Sequence, residues 1–543
     1  MIASKLKNYL WELVVLLIGS FFGYILMFGT FSKRDGELLI ATKAWSDFAS
    51  HIPLIRSFSF GSNFPPQYPL FPGEPIKYHF VFYSVVGFLE KLGVPIDIAL
   101  NSLSFLGFVF LIFMIYFFAK ELFKSKAIGI ISVIFFLFNS SLSFVYFFQK
   151  FPINRNSINQ IISNHDFMSF APYGQGLISA FWSLNIFTNQ RHLALSIGLS
   201  LLLIYLVIKP LIGKSQLQPK YYVLLGILLG LSYFLNTAIL LSTVLILFCL
   251  AIAFSKIRKE TILLLLFAGI IILPQYLYAQ GGSGFPTKLL FGYLVSSPTP
   301  IKLAAFWFYN LGLGLFLIPL GFIFSNKVQR KIFISFAFLF IVGISVQFSP
   351  EIAANHKFFN YFIIIGNMFS AYVLYLLWKK KQIFKPLVGI LAFLMVMGGL
   401  IDIFPIINDG KVTIPDYEKN PAATWIKNNT PRSSIFLNTT YLYDPASLAG
   451  RKIYLGWPYF AWSQGYDTNG RSKSMTEMLE SDNKHSACKL LKKNGITYIE
   501  IKTQNPPDPD VPAISGIYNK EFSTVYSDAI SNYLIYSVKD SCD

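Results

Sequence analysis

The chain has 543 residues, of which 54% are hydrophobic and only 13% are charged. Soluble globular proteins carry about 25% charged residues, so this composition excludes a water-soluble protein and indicates a polytopic membrane protein. The net charge of +18 arises largely from short basic loops between apolar runs, such as KSQLQPK, KIRKE, NKVQRK and WKKKQIFK, which is the positive-inside pattern of cytoplasmic loops and argues against nucleic-acid binding.

The apolar runs predict eleven transmembrane helices, because a span needs about 20 apolar residues. The run 221–255 is too long for one span and is expected to turn near Asn236 into two short spans. The other nine predicted spans lie near residues 10–31, 98–119, 127–147, 191–212, 260–279, 303–324, 331–347, 359–378 and 384–404.

Two shorter apolar stretches, 79–93 and 172–187, raise the count to thirteen if both span the membrane. With eleven spans and a cytoplasmic N-terminus, the basic segment 120–126 falls inside together with the other basic loops. We therefore expect the two stretches to be re-entrant or interfacial helices. Either count is odd, which predicts an extracytoplasmic C-terminus. The preferred topology with eleven spans also places all six histidines on the outer side.

The composition changes after residue 404, where a small extracytoplasmic α/β domain is predicted for residues 405–543. Its segments read as a helix and a strand, then a helix that stops at Gly495, and then further strands. Cys488 and Cys542 lie in this domain and can pair if it lies outside the cytoplasm. The transmembrane domain is predicted to cover residues 1–404, including a long outer loop at 32–97.

This outer loop carries the most distinctive local pattern of the chain. Asp47 and His51 are four residues apart, so they share one face of a helix. A Pro-rich segment, NFPPQYP, follows Gly61, and the aromatic stretch YHFVFY then contains His79.

This arrangement resembles the GT-C superfamily of membrane glycosyltransferases, which use polyprenyl-phosphate-linked sugars and include protein O-mannosyltransferases and aminoarabinose transferases. The matching pieces are a first span, a long outer loop with an acidic residue on a short helix, and the Gly, Pro-rich and aromatic segments after it. The C-terminal outer domain is similar as well. The resemblance implies a GT-C-like fold with about eleven to thirteen transmembrane helices.

The resemblance also implies that Asp47 is the catalytic base of an inverting sugar transfer. A carboxylate is suited to take the proton from an acceptor hydroxyl as it attacks the anomeric carbon, and its charge stabilises an oxocarbenium-like transition state. The alternative is that Asp47 is a solvated loop charge or the partner of a nearby cation. His51 either orients the Asp47 carboxylate, binds phosphate or helps to hold a metal, or it is a histidine of the helix surface.

The leaving group of such a transfer is a lipid phosphate, which needs cationic partners at the membrane surface. Two outer pairs are candidates, Arg191 with His192 and His356 with Lys357. The alternative for both pairs is snorkelling or topological anchoring. His79, His165 and Asp166 are candidate loop contacts to donor or acceptor, or plain loop residues.

No resident cofactor is expected. Some superfamily members hold a divalent metal with acidic pairs, and Asp35 with Glu37, just past the first span, is either such a pair or simply the polar end of the span. Hard cations want several oxygen ligands, and this loop has no Asp-x-Asp pattern. The expected partners are membrane lipid, a polyprenyl-phosphate sugar and a glycan, lipid or protein acceptor.

The sequence therefore predicts a hexosyl or pentosyl transferase acting on the extracytoplasmic face of a bacterial plasma membrane. A transporter or flippase of a lipid-linked or anionic solute is the alternative, and an inactive GT-C-like scaffold is a third reading. Transporters place charges within their spans and often have repeats. Here the spans are nearly free of charge and no repeat is evident, which favours chemistry at the membrane surface.

Overall fold

The computed structural model describes residues 2–169, 176–281, 285–503 and 511–543, with side chains described from Tyr9 onward. The helices of these residues are α1 (Ile2–Thr30), α2 (Trp45–Ser59), α3 (Val81–Lys91), α4 (Ile96–Phe123), α5 (Lys126–Leu137), α6 (Ser143–Lys150), α7 (Ser157–Ile162), α8 (Ser179–Trp182), α9 (Asn185–Asn189), α10 (Leu193–Ile208), α11 (Pro219–Leu231), α12 (Thr237–Ala253), α13 (Ser255–Ala279), α14 (Pro300–Leu311), α15 (Gly314–Phe324), α16 (Lys327–Ser345), α17 (His356–Lys379), α18 (Phe384–Asp402), α19 (Phe404–Ile407), α20 (Pro421–Asn429), α21 (Pro445–Leu448), α22 (Pro458–Ser463), α23 (Thr468–Leu479), α24 (Lys484–Lys493), α25 (Ile517–Glu521) and α26 (Val538–Cys542).

The strands are β1 (Phe31–Arg34), β2 (Glu37–Ala41), β3 (Lys288–Leu289), β4 (Val346–Gln347), β5 (Lys411–Pro415), β6 (Ile435–Leu437), β7 (Lys452–Ile453), β8 (Tyr498–Lys502), β9 (Thr524–Asp528) and β10 (Tyr533–Ser537). The chain divides into two compact units. The helical unit comprises Met1–Thr30, Asn101–Gln275 and Thr287–Gly410, and the mixed unit comprises Phe31–Leu100, Tyr276–Pro286 and Lys411–Asp543.

The long apolar helices confirm the prediction of a polytopic integral membrane protein. Within the described residues, seven helices are long and apolar enough to cross a membrane: α1, α4, α10 with the 3₁₀ turn that follows it, α13, α16, α17 and α18. The pair α14 and α15 counts as one further span bent by 89°, and α5, α11 and α12 are shorter apolar helices. These elements correspond to the eleven predicted segments, although three of them are shorter than a full span.

The predicted turn near Asn236 is confirmed. Helix α11 ends at Leu231 and α12 begins at Thr237. The Asn236 side chain caps α12 by accepting a hydrogen bond of 3.1 Å from the Ile239 amide. An Asn at the N-cap satisfies one of the amides that a helix start leaves without an intrahelical partner.

The prediction of one continuous span over 127–147 is wrong, because α5 ends at Leu137 and α6 begins at Ser143. The polar residues between them bond to neighbouring helices. Ser140 Oγ donates to the Leu311 carbonyl at 2.6 Å, and the Leu142 amide donates to the Tyr309 carbonyl at 2.8 Å. Irregular backbone within a helical membrane unit requires such partners. Leu311 is the last residue of α14. The break between α14 and α15 that follows it interrupts the predicted span at 303–324.

The two doubtful stretches form short helices. In 79–93 the helix is α3, with eleven residues. In 172–187 the described part forms α8 and the start of α9, whereas residues 170–175 lie outside the described residues. None of these three helices is long enough to cross a membrane.

The described residues of the mixed unit form two sheets. One has the strand order β1-β2-β5 and is antiparallel, with Leu38 of β2 opposite Ile414 of β5. The other has the order β7-β6-β8-β10-β9, in which β6 runs parallel to β7 and β8. Residues 31–100 thus belong to the same unit as residues 411–543.

The C-terminal part of the mixed unit confirms the predicted α/β fold class. The predicted first helix and strand are α20 and β6, and the helix that precedes Gly495 is α24, followed by β8. The last segment forms the antiparallel pair β9 and β10. Cys488 in α24 and Cys542 in α26 form a disulfide with 5.5 Å between their Cα atoms.

Candidate functional site

Asp47 lies in the first turn of α2, and its side chain is half-buried. A carboxylate in this position interacts favourably with the positive end of the helix dipole. His51 follows one turn later and is 4% exposed. The predicted short helix with both residues on it is therefore present, and Asp47 keeps partial access to solvent whereas His51 is buried.

Aromatic rings surround this end of α2. The Trp45 ring lies 5.7 Å from the ring of Tyr443, whose hydroxyl donates a hydrogen bond of 2.5 Å to the Trp45 carbonyl. The His51 ring stacks on Tyr83 with 4.6 Å between ring centroids. These contacts join the first residues of α2 to α3 and to the segment that precedes α21. Trp45 and Tyr443 show no signal in the sequence, because their partners are distant in the chain.

The Asp47 carboxylate acts electrostatically on two tyrosines. Burial, reinforced by the negative charge of Asp47, raises the pKa of the Tyr78 phenol, and the same two causes raise the pKa of Tyr443. Both phenols therefore remain protonated at neutral pH and retain a hydroxyl that can donate a hydrogen bond. His79 is buried beside Tyr78, with which its ring is in contact. His79, predicted only as a loop contact, thus shares one aromatic-rich region of the mixed unit with Asp47 and His51.

A buried ion cluster holds the other end of α2. The Arg56 guanidinium is fully buried and contacts Glu90 of α3 at 2.9 Å and Asp416 at 2.8 Å. It also donates to the Leu448 carbonyl at 3.1 Å. Burial opposes ionisation of Asp416, but the charges of Arg56 and Lys33 outweigh it and hold the pKa of Asp416 below its usual value. The helix that carries Asp47 is thereby fixed to β5 and α21.

Gly61 and the acidic pair after the first span, Asp35 and Glu37, have structural roles. A Cβ atom on Gly61 would lie 2.2 Å from the Gly450 carbonyl oxygen, so only glycine fits there. Asp35 and Gly36 both have positive φ and form the two-residue turn between β1 and β2, as a DG hairpin favours. Glu37 pairs with Lys419 at 3.2 Å.

Arg191 is fully buried in the helical unit, between α9 and α10. Its guanidinium donates to the Thr188 carbonyl at 2.8 Å, to the Thr30 hydroxyl at 2.8 Å and to the Asn101 amide oxygen at 3.2 Å. These bonds tie the end of α1 to α4 and to the start of α10. His192 is also fully buried and precedes the first residue of α10. A phosphate-binding role for the two residues stays a prediction.

The structure brings the two predicted cationic pairs near each other. Gln190, next to Arg191, contacts His356 Nε2 through its side-chain amide at 3.2 Å. His356 Nδ1 lies 2.9 Å from the Asn360 side-chain oxygen, and both His356 and Lys357 are buried in the first turn of α17. If Nδ1 donates to Asn360, Nε2 is the acceptor for Gln190. The start of α17 therefore faces the segment before α10.

His165 and Asp166 lie in the loop after α7. The exposed His165 ring contacts the Asn408 carbonyl through Nδ1 at 2.7 Å, and the Asp166 amide donates to the Asn164 side chain at 3.2 Å. These bonds fix the loop to the end of the helical unit. Residues 170–175, shortly after Asp166, lie outside the described residues.

An acidic residue that the sequence analysis did not select lies at the end of α18. The Asp402 carboxylate is buried and accepts hydrogen bonds from Asn139 at 3.4 Å and from Ser143 at 3.2 Å. No group of three or more His, Cys, Asp or Glu side chains close enough to hold a metal ion occurs in the described part of the chain.

No protein-family model matches this chain, and no curated protein matches it in sequence. Solved structures do match. The archaeal oligosaccharyltransferase AglB from Archaeoglobus fulgidus, in complex with an inhibitory peptide and a dolichol-phosphate, has a TM-score of 0.52 at 13% identity, covering 92% of this chain and 70% of its own. The fold is of the GT-C type. The fold implied by the sequence resemblance is thus confirmed.

Two further structures of the oligosaccharyltransferase from the same organism are similar. The form tethered to an acceptor peptide containing an NVT sequon has a TM-score of 0.49 and 15% identity, covering 92% of this chain and 70% of that one. The complex with zinc and sulfate has a TM-score of 0.43 and 15% identity, with coverages of 90% and 68%.

Proposed function

We propose that this protein is a membrane glycosyltransferase that moves a sugar from a polyprenyl-phosphate carrier to an acceptor, with inversion at the anomeric carbon. The observation that carries the proposal is the fold similarity to archaeal AglB, whose structure contains an inhibitory peptide and a dolichol-phosphate. A shared fold hosts many functions, so the residues of the mixed unit have to support the same chemistry.

Asp47 is the proposed base. Its carboxylate takes the proton of the acceptor hydroxyl, the acceptor oxygen forms a bond to the anomeric carbon, and the lipid phosphate leaves with the electron pair of the broken C–O bond. The aromatic rings near the half-buried Asp47 reduce its contact with water, which strengthens electrostatic interactions with the reacting groups. The Arg56 cluster supports this role, because a catalytic group acts best on a rigid element.

The donor phosphate is proposed to bind to Arg191, His192, His356 and Lys357. The first turn of α17 carries two of these residues, and the N-terminus of a helix is favourable for an anion. We also propose that the reaction uses no resident divalent metal. Sugar-transfer assays with and without a chelator test this prediction.

The mixed unit is proposed to lie on the extracytoplasmic side of a bacterial plasma membrane. The disulfide between Cys488 and Cys542 supports this orientation, because such bonds persist in oxidising compartments. The basic loops beside the spans support it independently. The sugar, whether hexose or pentose, and the acceptor class are left to experiment.

The experiment is sugar transfer by the purified full chain with a panel of polyprenyl-phosphate sugars. We expect Asp47→Asn to reduce turnover by roughly 10²- to 10⁴-fold, the usual contribution of a general base. Asp35→Asn is the matched control, because it removes a carboxylate from the same predicted loop at a turn position that Asn tolerates. It should retain the activity of the wild type.

Full activity of Asp47→Asn would contradict the assigned base. Absence of transfer with every donor, together with solute flux in proteoliposomes, would favour the transporter reading. A loss of activity in Asp35→Asn equal to that in Asp47→Asn would instead indicate a metal held by the acidic residues of this loop.

A further inference from the structure

A groove of about 470 Å³ opens in the helical unit between α5, α17 and α18. Its walls are mostly apolar and include Ile131, Leu374, Val388 and Ala392. The groove adjoins the loop between α4 and α5 and the turn between α17 and α18, both of which are basic. A volume of this size suits a small ligand, and the walls suit a hydrocarbon chain.

The turn beside the groove carries an uncompensated positive charge. Lys379, which lines the groove, is followed by Lys380, Lys381 and Lys385, and the segment 378–385 contains no Asp or Glu. Lys379, Lys380 and Lys381 are exposed. None of the four lysines forms an ion pair with a carboxylate among the described residues. The basic residues near the end of α4 differ, since Lys214 lies 2.6 Å from Glu121 and Lys120 lies 3.0 Å from Glu12.

Two aromatic rings lie between the apolar walls and the lysines. Tyr375 and Trp378 line the groove, and Trp378 is 49% exposed. The Lys379 ammonium lies 5.6 Å from the Tyr375 ring centroid, and that of Lys385 lies 5.1 Å from the Trp378 centroid. Tyr and Trp concentrate at the depth of lipid headgroups. The groove therefore has an apolar wall, then aromatic rings and then a cationic rim. This order matches a phospholipid, whose acyl chains are apolar and whose phosphate is anionic.

We propose that this groove binds one anionic glycerophospholipid, with an acyl chain against Leu374, Val388 and Ala392 and the phosphate beside Lys379 and Lys380. Clusters of lysines at the end of a membrane helix attract acidic lipids. Topology alone requires positive charge near the membrane, but it requires neither a groove nor aromatic rings below that charge. The groove lies at the end of α17, whereas His356 and Lys357 lie at its start, and it is assigned to the basic end of the spans.

The test is native mass spectrometry of the purified full chain in detergent, titrated with phosphatidylglycerol and, separately, with phosphatidylcholine of the same acyl composition. We expect one phosphatidylglycerol to be retained preferentially, and inorganic phosphate at equal concentration not to displace it. The triple variant K379Q/K380Q/K381Q should bind it more weakly, by about fivefold for each lysine removed.

The matched control is K220Q/K259Q/K327Q, which removes three exposed lysines from other basic loops and should bind as the wild type does. Ala127→Trp tests the groove itself, because exposed Ala127 lines it and the indole fills it without changing the charge. We expect this variant to lose the retained lipid while its thermal stability is unchanged.

Equal retention of the two lipids, or equal binding by the two triple variants, would overturn the proposal. If Ala127→Trp retained the lipid as strongly as the wild type does, binding would be due to diffuse electrostatic attraction and not to the groove. Because the assay contains no sugar donor, its outcome is independent of the proposed transferase activity.

Discussion

At the scale of single residues, the candidate base and the residue that fixes its helix have different sequence signals. Asp47 is recognisable because it lies on a short helix in an unusual loop. Arg56 shows no such signal, because its partner Asp416 is 360 positions away. A buried charge is costly unless it is paired, and Arg56 has two carboxylates and a carbonyl as partners. We infer that this cluster contributes rigidity to α2 rather than chemistry.

We expect Arg56→Met to destabilise the mixed unit by about 3–5 kcal/mol, because it leaves Glu90 and Asp416 as buried charges without their main partner. Lys419→Met is the control, since the Lys419–Glu37 pair is half-exposed and such pairs contribute about 1 kcal/mol or less. Equilibrium unfolding of the purified chain in mixed micelles measures both. Equal effects of the two substitutions would contradict the structural role of the cluster.

At the scale of elements, a buried carboxyl pair joins β8 to the start of α21. Asp444 caps α21 by accepting hydrogen bonds from the Ala446 and Ser447 amides at 2.8 and 3.2 Å. Glu500 of β8 is fully buried and accepts a hydrogen bond from the Tyr533 hydroxyl. Burial raises the pKa of Asp444 to about 6, and burial together with the charge of Asp444 raises the pKa of Glu500 well above its usual value. Lys502 is the nearby cation.

The raised pKa values predict that stability falls as pH rises. Above pH ~4 the unfolded state has released these protons, whereas the folded state still binds them. Each group therefore lowers the free energy of unfolding by about 1.4 kcal/mol per pH unit until the pH reaches its pKa in the folded state. Asp444 lowers the stability between pH ~4 and 6, and Glu500 continues to lower it above pH 6.

Glu500→Gln should flatten the stability profile above pH 6, because the amide supplies the donor to Asp444 without taking up a proton. The variant should therefore be more stable than the wild type at pH 8 and similar to it near pH 5. Glu521→Gln, at an exposed position, should follow the wild-type curve. Thermal unfolding from pH 5 to 8 measures all three proteins, and parallel profiles for wild type and Glu500→Gln would contradict the raised pKa of Glu500.

At the scale of the whole molecule, the fold is that of a GT-C membrane protein, and the orientation is a separate question. The basic loops and the disulfide both favour a cytoplasmic N-terminus and an extracytoplasmic mixed unit. Orientation determines which substrates reach Asp47, so it bears directly on the proposed function.

Cysteine labelling in expressing cells tests the orientation. In a Cys249→Ala background, a membrane-impermeant maleimide should label Glu480→Cys in intact cells, because exposed Glu480 follows α23 in the mixed unit. Lys381→Cys, in the turn between α17 and α18, should be labelled only after permeabilisation. The reverse pattern would place the basic loops outside and contradict the positive-inside assignment.

The sequence by itself determined the membrane class, the approximate positions of the apolar helices, the turn at Asn236 and the C-terminal α/β elements. Each of these depends on local composition, because a helix in a bilayer satisfies its own backbone and shows its length as a hydropathy run. The tertiary structure alone decided the break after Leu137, the bend between α14 and α15, and the partners of Arg56, Tyr443 and Glu500. These features depend on hydrogen bonds and charges between residues far apart in the chain, which no periodicity along the sequence records.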